Sequence, residues 1–349
     1  MRYVKTKWVT ILRSAESTPR PRLDDVAAAA GVSTATVSLV LRGVAGPSAA
    51  TRQRVAATAA RLGYRPDRAA SALASRRSRL IGMVMDIRNP FHAELVEDLY
   101  EAADRHGYNI LLSTITRSHD ETRAIETLLD SHSEALILLG TQVPTRRVAA
   151  LARQLPIVVV GRPLPSAARV DVVRTDDHDG LEQAVGYLTR LWHRHIAYID
   201  GGKGIVSAVR RRGYQSAMHH HHLDDQINVI RGGETESSGA SAAPTVMQEQ
   251  NRPTAVLTFN DRCAMGLIET LVRARVDIPG ELSVVGYDNS PIARLAHVNL
   301  TTVSQNTREL TEHAMTALID RLDNGRTHHV DVVVPPQLIV RGTTGPPPR

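Results

Sequence analysis

Leu23 to Arg42 reads LDDVAAAAGVSTATVSLVLR, the pattern of two short helices joined by a tight turn. Val26, Ala27 and Ala30 make an apolar stripe on the first. Gly31 stands where the chain must reverse, and glycine tolerates the left-handed backbone such a turn needs. Ser33 is a good N-cap for the second helix. Val37, Val40 and Leu41 give that helix one apolar side. Its other side carries Thr34, Ala35, Ser38, Leu39 and Arg42 at i, i+1, i+4, i+5 and i+8. A face of small and hydroxyl side chains ending in arginine suits a DNA major groove. Ser33 and Thr36, at the head of the helix, complete the candidate base-reading set.

Downstream, Ser48 can cap a third helix, on which Val55, Ala59 and Leu62 recur at i, i+4 and i+7 before Gly63 stops it. Three short helices in so little chain form a complete helix-turn-helix module. Ser48, Thr51 and Arg52 are available for phosphates. The segment Tyr64 to Ala74, YRPDRAASALA, is helix-prone but too short to be stable alone.

These residues resemble the lactose-repressor (LacI) family of bacterial transcription regulators. The likeness lies in AxxAGVSxxTVSxVL (Ala27 to Leu41) and GYxPxxxAxxLA (Gly63 to Ala74). Later landmarks are NPF (Asn89 to Phe91), PTAVLTFND (Pro253 to Asp261), VVGYDN (Val284 to Asn289) and LTTV (Leu300 to Val303). The resemblance implies a homodimeric DNA binder under effector control. It also implies a hinge in which Ala70 and Leu73 enter the minor groove, the leucine as a wedge between base pairs. The family usually carries a polar residue at Leu39 and asparagine at Arg42 and Asp67, so a different operator is expected here.

The charge is unevenly spread. Residues 1–79 hold 15 Lys and Arg against 4 Asp and Glu, whereas the whole chain nets only +6. A basic end on an acidic body is the layout of a protein that docks one end on phosphates. The single cysteine, Cys263, excludes an internal disulfide and fits a reducing cytoplasm. No apolar run approaches the ~18 residues of a membrane helix, so no membrane partner is expected.

From Leu80 onward, short Val/Ile/Leu runs alternate with helical patterns. Strands are expected at Leu80–Met85, Asn109–Ser113, Ala135–Leu139, Ile157–Val160, Ile196–Ile199, Asn228–Ile230, Ala255–Thr258 and Ser283–Val285. Helices are expected at Ala93–His106, Glu121–Ser131, Thr145–Gln154, Gly180–Leu191, Val209–His219, Arg262–Arg273 and Arg308–Asn324. Such alternation implies parallel sheets covered by helices on both faces, and too many units for one sheet. The expected fold is therefore an N-terminal all-α helix-turn-helix domain followed by an α/β domain of two Rossmann-like lobes. The resemblance adds that this domain is periplasmic-binding-protein-like. The expected division is a basic tail at 1–20, the DNA module at 21–66, a hinge at 67–78, the two-lobed effector-binding and dimerisation domain at 79–342, and a loose end at 343–349.

Ligands of open parallel sheets bind beyond the carboxyl ends of the strands. There the chain offers Asp86, Arg162, Asn260 with Asp261, and Asp288 with Asn289, with Phe91 just after the first strand. An aromatic face with convergent Asp, Asn and Arg is how proteins hold a sugar or other small polyol. Asp261 and Asn289 read better as turn and cap residues. The family's positions imply ligand contact for Asp86, Arg162, Asn260 and Asp288, which with Phe91 form the candidate effector set. Arg210 joins them by resemblance, as the first arginine of RxxGYxxA.

No catalytic residue, cofactor or metal is expected. There is no GxSxG, Walker loop or HExxH, and Gly201 to Gly204 reads as a turn. His219 to His222 is a run of four histidines of the kind that can bind metals, yet no companion ligand is visible nearby in sequence. His193 and His195 resemble a structural lead-in to a strand, with Trp192 in place of the family's glycine. The expected function is an effector-controlled transcription regulator, most simply a repressor. The alternative is a two-lobed sugar or purine binder that acts other than as a repressor.

Overall fold

The computed structural model describes residues 21–64, 77–165, 169–248 and 252–348. Residues 1–20, Ala70 and Leu73 lie outside that set. Contacts divide the chain into two units, Met1–Ser78 and Arg79–Arg349.

The first unit contains α1 (Leu23–Ala30), α2 (Thr34–Leu41) and α3 (Ala49–Leu62). Gly31 takes φ 63°, and the chain turns through 104° between α1 and α2. The Val32 N–H returns to the Ala27 carbonyl at 3.1 Å, closing the end of α1. Ser33 caps α2 by accepting from the Thr36 N–H at 3.2 Å, and Ser48 caps α3 by accepting from Thr51 at 3.3 Å. Val26, Val37 and Val55 are fully buried, one from each helix, with Ala27, Ala30 and Ala59 between them. Each buried valine contributes roughly 1.5–3 kcal/mol. That small core holds the second helix in place.

Among its described residues the second unit has two six-stranded sheets. The first runs in the order β11-β5-β4-β3-β1-β2. It contains β1 (Leu80–Asp86), β2 (Asn109–Ile115), β3 (Ala135–Leu139), β4 (Ile157–Val160), β5 (Asp171–Thr175) and β11 (Asp331–Val334), all parallel. Its helices are α4 (Pro90–Arg105), α5 (Glu121–Asp130), α6 (Thr145–Leu151) and α11 (Thr307–Leu322). The second sheet runs β12-β10-β9-β8-β6-β7. It contains β6 (Ile196–Ile199), β7 (Asn228–Ile230), β8 (Ala255–Thr258), β9 (Ser283–Asp288), β10 (Thr301–Ser304) and β12 (Gln337–Ile339), the last antiparallel to β10. Around it lie α7 (Asp177–Arg190), α8 (Ile205–His220), α9 (Glu236–Val246) and α10 (Asp261–Arg273).

Every residue of β3 and β4 is buried, as continuous apolar strands in a doubly covered sheet require. The chain passes between lobes three times: from β5 to α7, from β10 to α11, and from β11 to β12. Gln305 lies at the second passage and its amide oxygen accepts from Thr175 Oγ1, at the first, at 2.9 Å.

One expectation needs correction. The C-terminal residues are not loose through Gly345. Thr343 Oγ1 donates to the Val284 carbonyl at 2.7 Å, and the Gly345 carbonyl lies 2.8 Å from Nε2 of His193. The start of β9 runs beyond the paired stretch of its neighbour β10, so the backbone groups of Val284 need partners, and this tail supplies them. The turn before β6 does form despite Trp192, which takes the left-handed φ of 77° itself and is 82% exposed. No single helix among the described residues is long and apolar enough to cross a membrane.

Candidate DNA-reading helix and effector cleft

On α2, Thr34, Ala35 and Arg42 are exposed, Thr36, Ser38 and Leu39 are half-buried, and Val37 turns inward. Val40 and Leu41 pack on the three-helix core, whereas Leu39 stays outside it. The Arg42 Nε donates to the Ser38 carbonyl at 3.2 Å, which holds this C-cap arginine against the end of the helix. Arg52 Nη1 donates to the Val44 carbonyl at 3.0 Å, so this arginine also shapes the loop between α2 and α3.

The lobes meet at the carboxyl ends of their strands. Arg210, on α8, is the centre of the second lobe's rim and is only 4% exposed. Its Nε donates to Asp177 Oδ1 at 2.9 Å, its Nη1 donates to the Phe259 carbonyl at 2.6 Å, and its Nη2 lies 3.7 Å from Asp288 Oδ1. The guanidinium carbon sits 3.6 Å from the Tyr287 ring centroid and 4.8 Å from that of Phe259. Burial opposes its charge, but Asp177, Tyr287 and Asp288 outweigh that and hold its pKa above the ordinary value. The arginine is thus a fixed, charged fork between two aromatic faces.

Asp288 stands at the end of β9 with a left-handed φ of 109°, a strained position for a non-glycine residue. Gln305 Nε2 donates to its Oδ1 at 2.6 Å. Burial pushes its carboxyl well above the usual carboxylate range.

The first lobe contributes Asp86, gripped by Arg88 through Nε at 2.9 Å and Nη2 at 2.8 Å. Burial would raise its pKa, but the bonds from Arg88 prevail and hold it low. Glu234 faces Arg210, Asp86, Arg262 and Arg88 at once, and burial raises its carboxyl. Arg262 is tied to Glu236 at 2.6 Å and donates across the cleft to the Arg88 carbonyl at 2.8 Å. A second cross-lobe pair joins Arg294 to Glu94 at 3.0 Å.

The six residues expected to hold effector are therefore placed unequally. Asp86, Arg210 and Asp288 belong to this charged cluster. Asn260 does two structural jobs there: Oδ1 caps α10 through the Cys263 N–H at 2.9 Å, and Nδ2 donates to the Glu234 carbonyl at 3.1 Å. Phe91 packs into the first lobe's core. Arg162 is fully buried and donates to the Val143 carbonyl through Nη2 at 2.6 Å, while its Nε and Nη1 have no partner among the described residues. Asp177, Tyr287, Glu234, Arg262 and Gln305 were not singled out from sequence. His92 was also missed. It is buried below Asp86, accepts from the Asp86 N–H at Nδ1 (3.1 Å), and is held neutral by burial with a pKa lowered to about 4. Gly140 makes room for it, since a Cβ there would lie 2.8 Å from Nε2. Asp261 is a buried tie for Ser290 and Thr302, as its turn-and-cap reading implies. Burial raises the Cys263 thiol to about 12, which keeps it inert.

A helix-turn-helix module with a two-lobed domain carrying a charged, aromatic-walled cleft defines a DNA-binding transcription regulator rather than an enzyme. Residues 22–67 match the bacterial regulatory proteins of the lacI family, and residues 185–344 match the periplasmic binding protein-like domain. The transcriptional regulator DegA of Bacillus subtilis (strain 168) is 32% identical over 332 residues, covering 92% of this chain and 97% of its own. The crystal structure of the lac repressor dimer bound to operator and the anti-inducer ONPF has a TM-score of 0.81 at 26% identity, covering 93% of this chain and 99% of that one. The CelR–cellobiose complex has a TM-score of 0.67 at 28% identity, covering 93% and 100%. The chain belongs to the LacI family of bacterial transcription regulators.

Proposed function

We propose that this regulator is a cytoplasmic homodimeric repressor. It places Thr34 to Arg42 of each subunit in a major groove of a near-palindromic operator, and a small polyol, a sugar, bound between the lobes controls it. Ser33 and Thr36 head the reading helix. Ser48, Thr51 and Arg52 face phosphates, and Ala70 and Leu73 enter the minor groove. Dimer symmetry requires the near-palindrome. The operator complex of the lac repressor dimer and the cellobiose complex of CelR support both halves of this reading by likeness.

The observation that carries it is Arg210. A guanidinium fixed by Asp177 and Asp288, between the rings of Tyr287 and Phe259, is preorganised for sugar hydroxyls, and Glu234 feels the charges of both Arg210 and Asp86. Ligand held there engages Asp288. Through Gln305, Asp288 is bonded to Thr175, so the site reaches two of the three interlobe passages. A change in lobe closure is then felt at both, and the coupling to DNA is expected at about 1–3 kcal/mol.

A thermal-shift panel of monosaccharides, disaccharides and nucleosides on the full chain and on Arg210→Lys tests the reading. A sugar that raises the parent's midpoint and leaves the variant unmoved supports it. A response to nucleosides alone, or an equal response in both proteins, overturns it.

A further inference from the structure

The histidine run lacked a companion ligand in the sequence, and the fold supplies one. Glu182 stands on α7, whose neighbour α8 ends at His220. Its Oε1 lies 3.0 Å from Nδ1 of His220 and 2.8 Å from Nε2 of His221. One donor atom from each of the three residues falls within 4.8 Å of the other two. The two rings are tilted by 31°, with centroids 5.1 Å apart, so they are not stacked flat. Gly186 leaves the space for this, since a Cβ there would lie 3.1 Å from Nε2 of His221 and 3.5 Å from the guanidinium of Arg190. His219 is drawn away to Asp224.

We propose that Glu182, His220 and His221 form a binding site for a divalent transition-metal ion of the Zn2+ kind, bridging α7 and α8. Two imidazoles and a carboxylate, with a fourth position left to water, are the donor set of open zinc sites. Hard cations such as Mg2+ prefer all-oxygen shells and are not expected here. Metal–ligand bonds of about 2.0–2.2 Å at tetrahedral angles set donors roughly 3.4 Å apart. The two glutamate–histidine spacings must therefore open by about half an ångström, and His220 is exposed enough to rotate that far. The arrangement has a consequence for the cleft. Helices α7 and α8 also carry Asp177 and Arg210, so an ion that ties the two helices together braces that pair.

The test is calorimetric titration of ZnCl2 into the full chain without an affinity tag, paired with unfolding midpoints with and without Zn2+. The site predicts one ion per chain and a raised midpoint. It predicts at least about tenfold weaker binding in Glu182→Gln and in His221→Asn, since even outer-shell changes cost that much. The double variant His219→Ala/His222→Ala should bind as the parent does. No uptake by the parent overturns the proposal. So does parental affinity in both single variants, which would assign the metal to a solvated histidine tract.

Discussion

Arg210 lies over the ring of Tyr287, 3.6 Å from its centroid, and both side chains donate to the same oxygen, Oδ1 of Asp177, at 2.9 and 2.8 Å. The cleft floor is therefore one buried unit. Removing its cation strands the carboxylate of Asp177, whereas Asp288, already raised by burial, can take up a proton. Arg210→Ala should lower the unfolding free energy by roughly 3–5 kcal/mol, the usual cost of an uncompensated buried charge. Urea unfolding measures this. A loss below about 1 kcal/mol would show that water already reaches the pair.

His92 gives the protein an acid-sensitive element with a defined sign. Its folded pKa is about 4 against an ordinary 6.5, because burial disfavours the imidazolium. Between those values the unfolded chain binds a proton that the folded chain refuses. Its contribution is intact above about pH 6.5 and is lost as pH falls toward 4, by roughly 3 kcal/mol in total. His92→Asn keeps an acceptor for the Asp86 N–H but cannot titrate. Its stability should fall less steeply than the parent's over that window. Parallel curves would remove His92 as the cause.

The concentration of cations in residues 1–79 predicts a steep salt dependence of operator binding. Four or more phosphate contacts would weaken binding more than about a hundredfold between 50 and 200 mM salt. A near-flat response in a gel-shift or anisotropy titration would show that phosphates are not the main anchor.

Leu39 stays off the three-helix core while Val40 and Leu41 pack on it. An apolar side chain presented to a groove can contact a thymine methyl but cannot fork onto guanine. Leu39→Arg should change the preferred base at one symmetric pair of operator positions, read by selection from random DNA. An unchanged consensus would exclude Leu39 from base reading.

The residues differ in how openly their sequence shows their role. All eight expected strands form, because runs such as ALILL (Ala135–Leu139) and IVVV (Ile157–Val160) are buried on both faces and carry no polar interruption. Strand β5 was missed because it opens with Asp171, a charge at a fully buried position. Its neutralising partners, Arg321 and Arg326, are about 150 residues away in sequence. Missing β5 also hid Asp177, which starts the next helix. Strand β11 alternates exposed and covered residues at a sheet edge, and β12 is three residues long. Helix α9, ESSGASAAPTV, is built of small residues with a proline inside, so its apolar periodicity is faint. Its packing rests on close approach instead: a Cβ at Gly239 would fall on the Cys263 carbonyl of α10. In the cleft, strand ends announced Asp86 and Asp288, and the RxxGYxxA likeness announced Arg210. Glu234 and Arg262 carry no pattern of their own, because only the pairing of two lobes brings them to Asp86 and Arg88.

The central claim is that a ligand in the cleft sets the affinity for DNA. The measurement is the dissociation constant of the full chain for its selected operator, with and without a saturating sugar from the thermal-shift panel. The account predicts a change of about 5- to 150-fold in the parent and none in Arg210→Lys, whose ligand-free operator affinity matches the parent's. An operator affinity that is the same at zero and saturating sugar in the parent would contradict it.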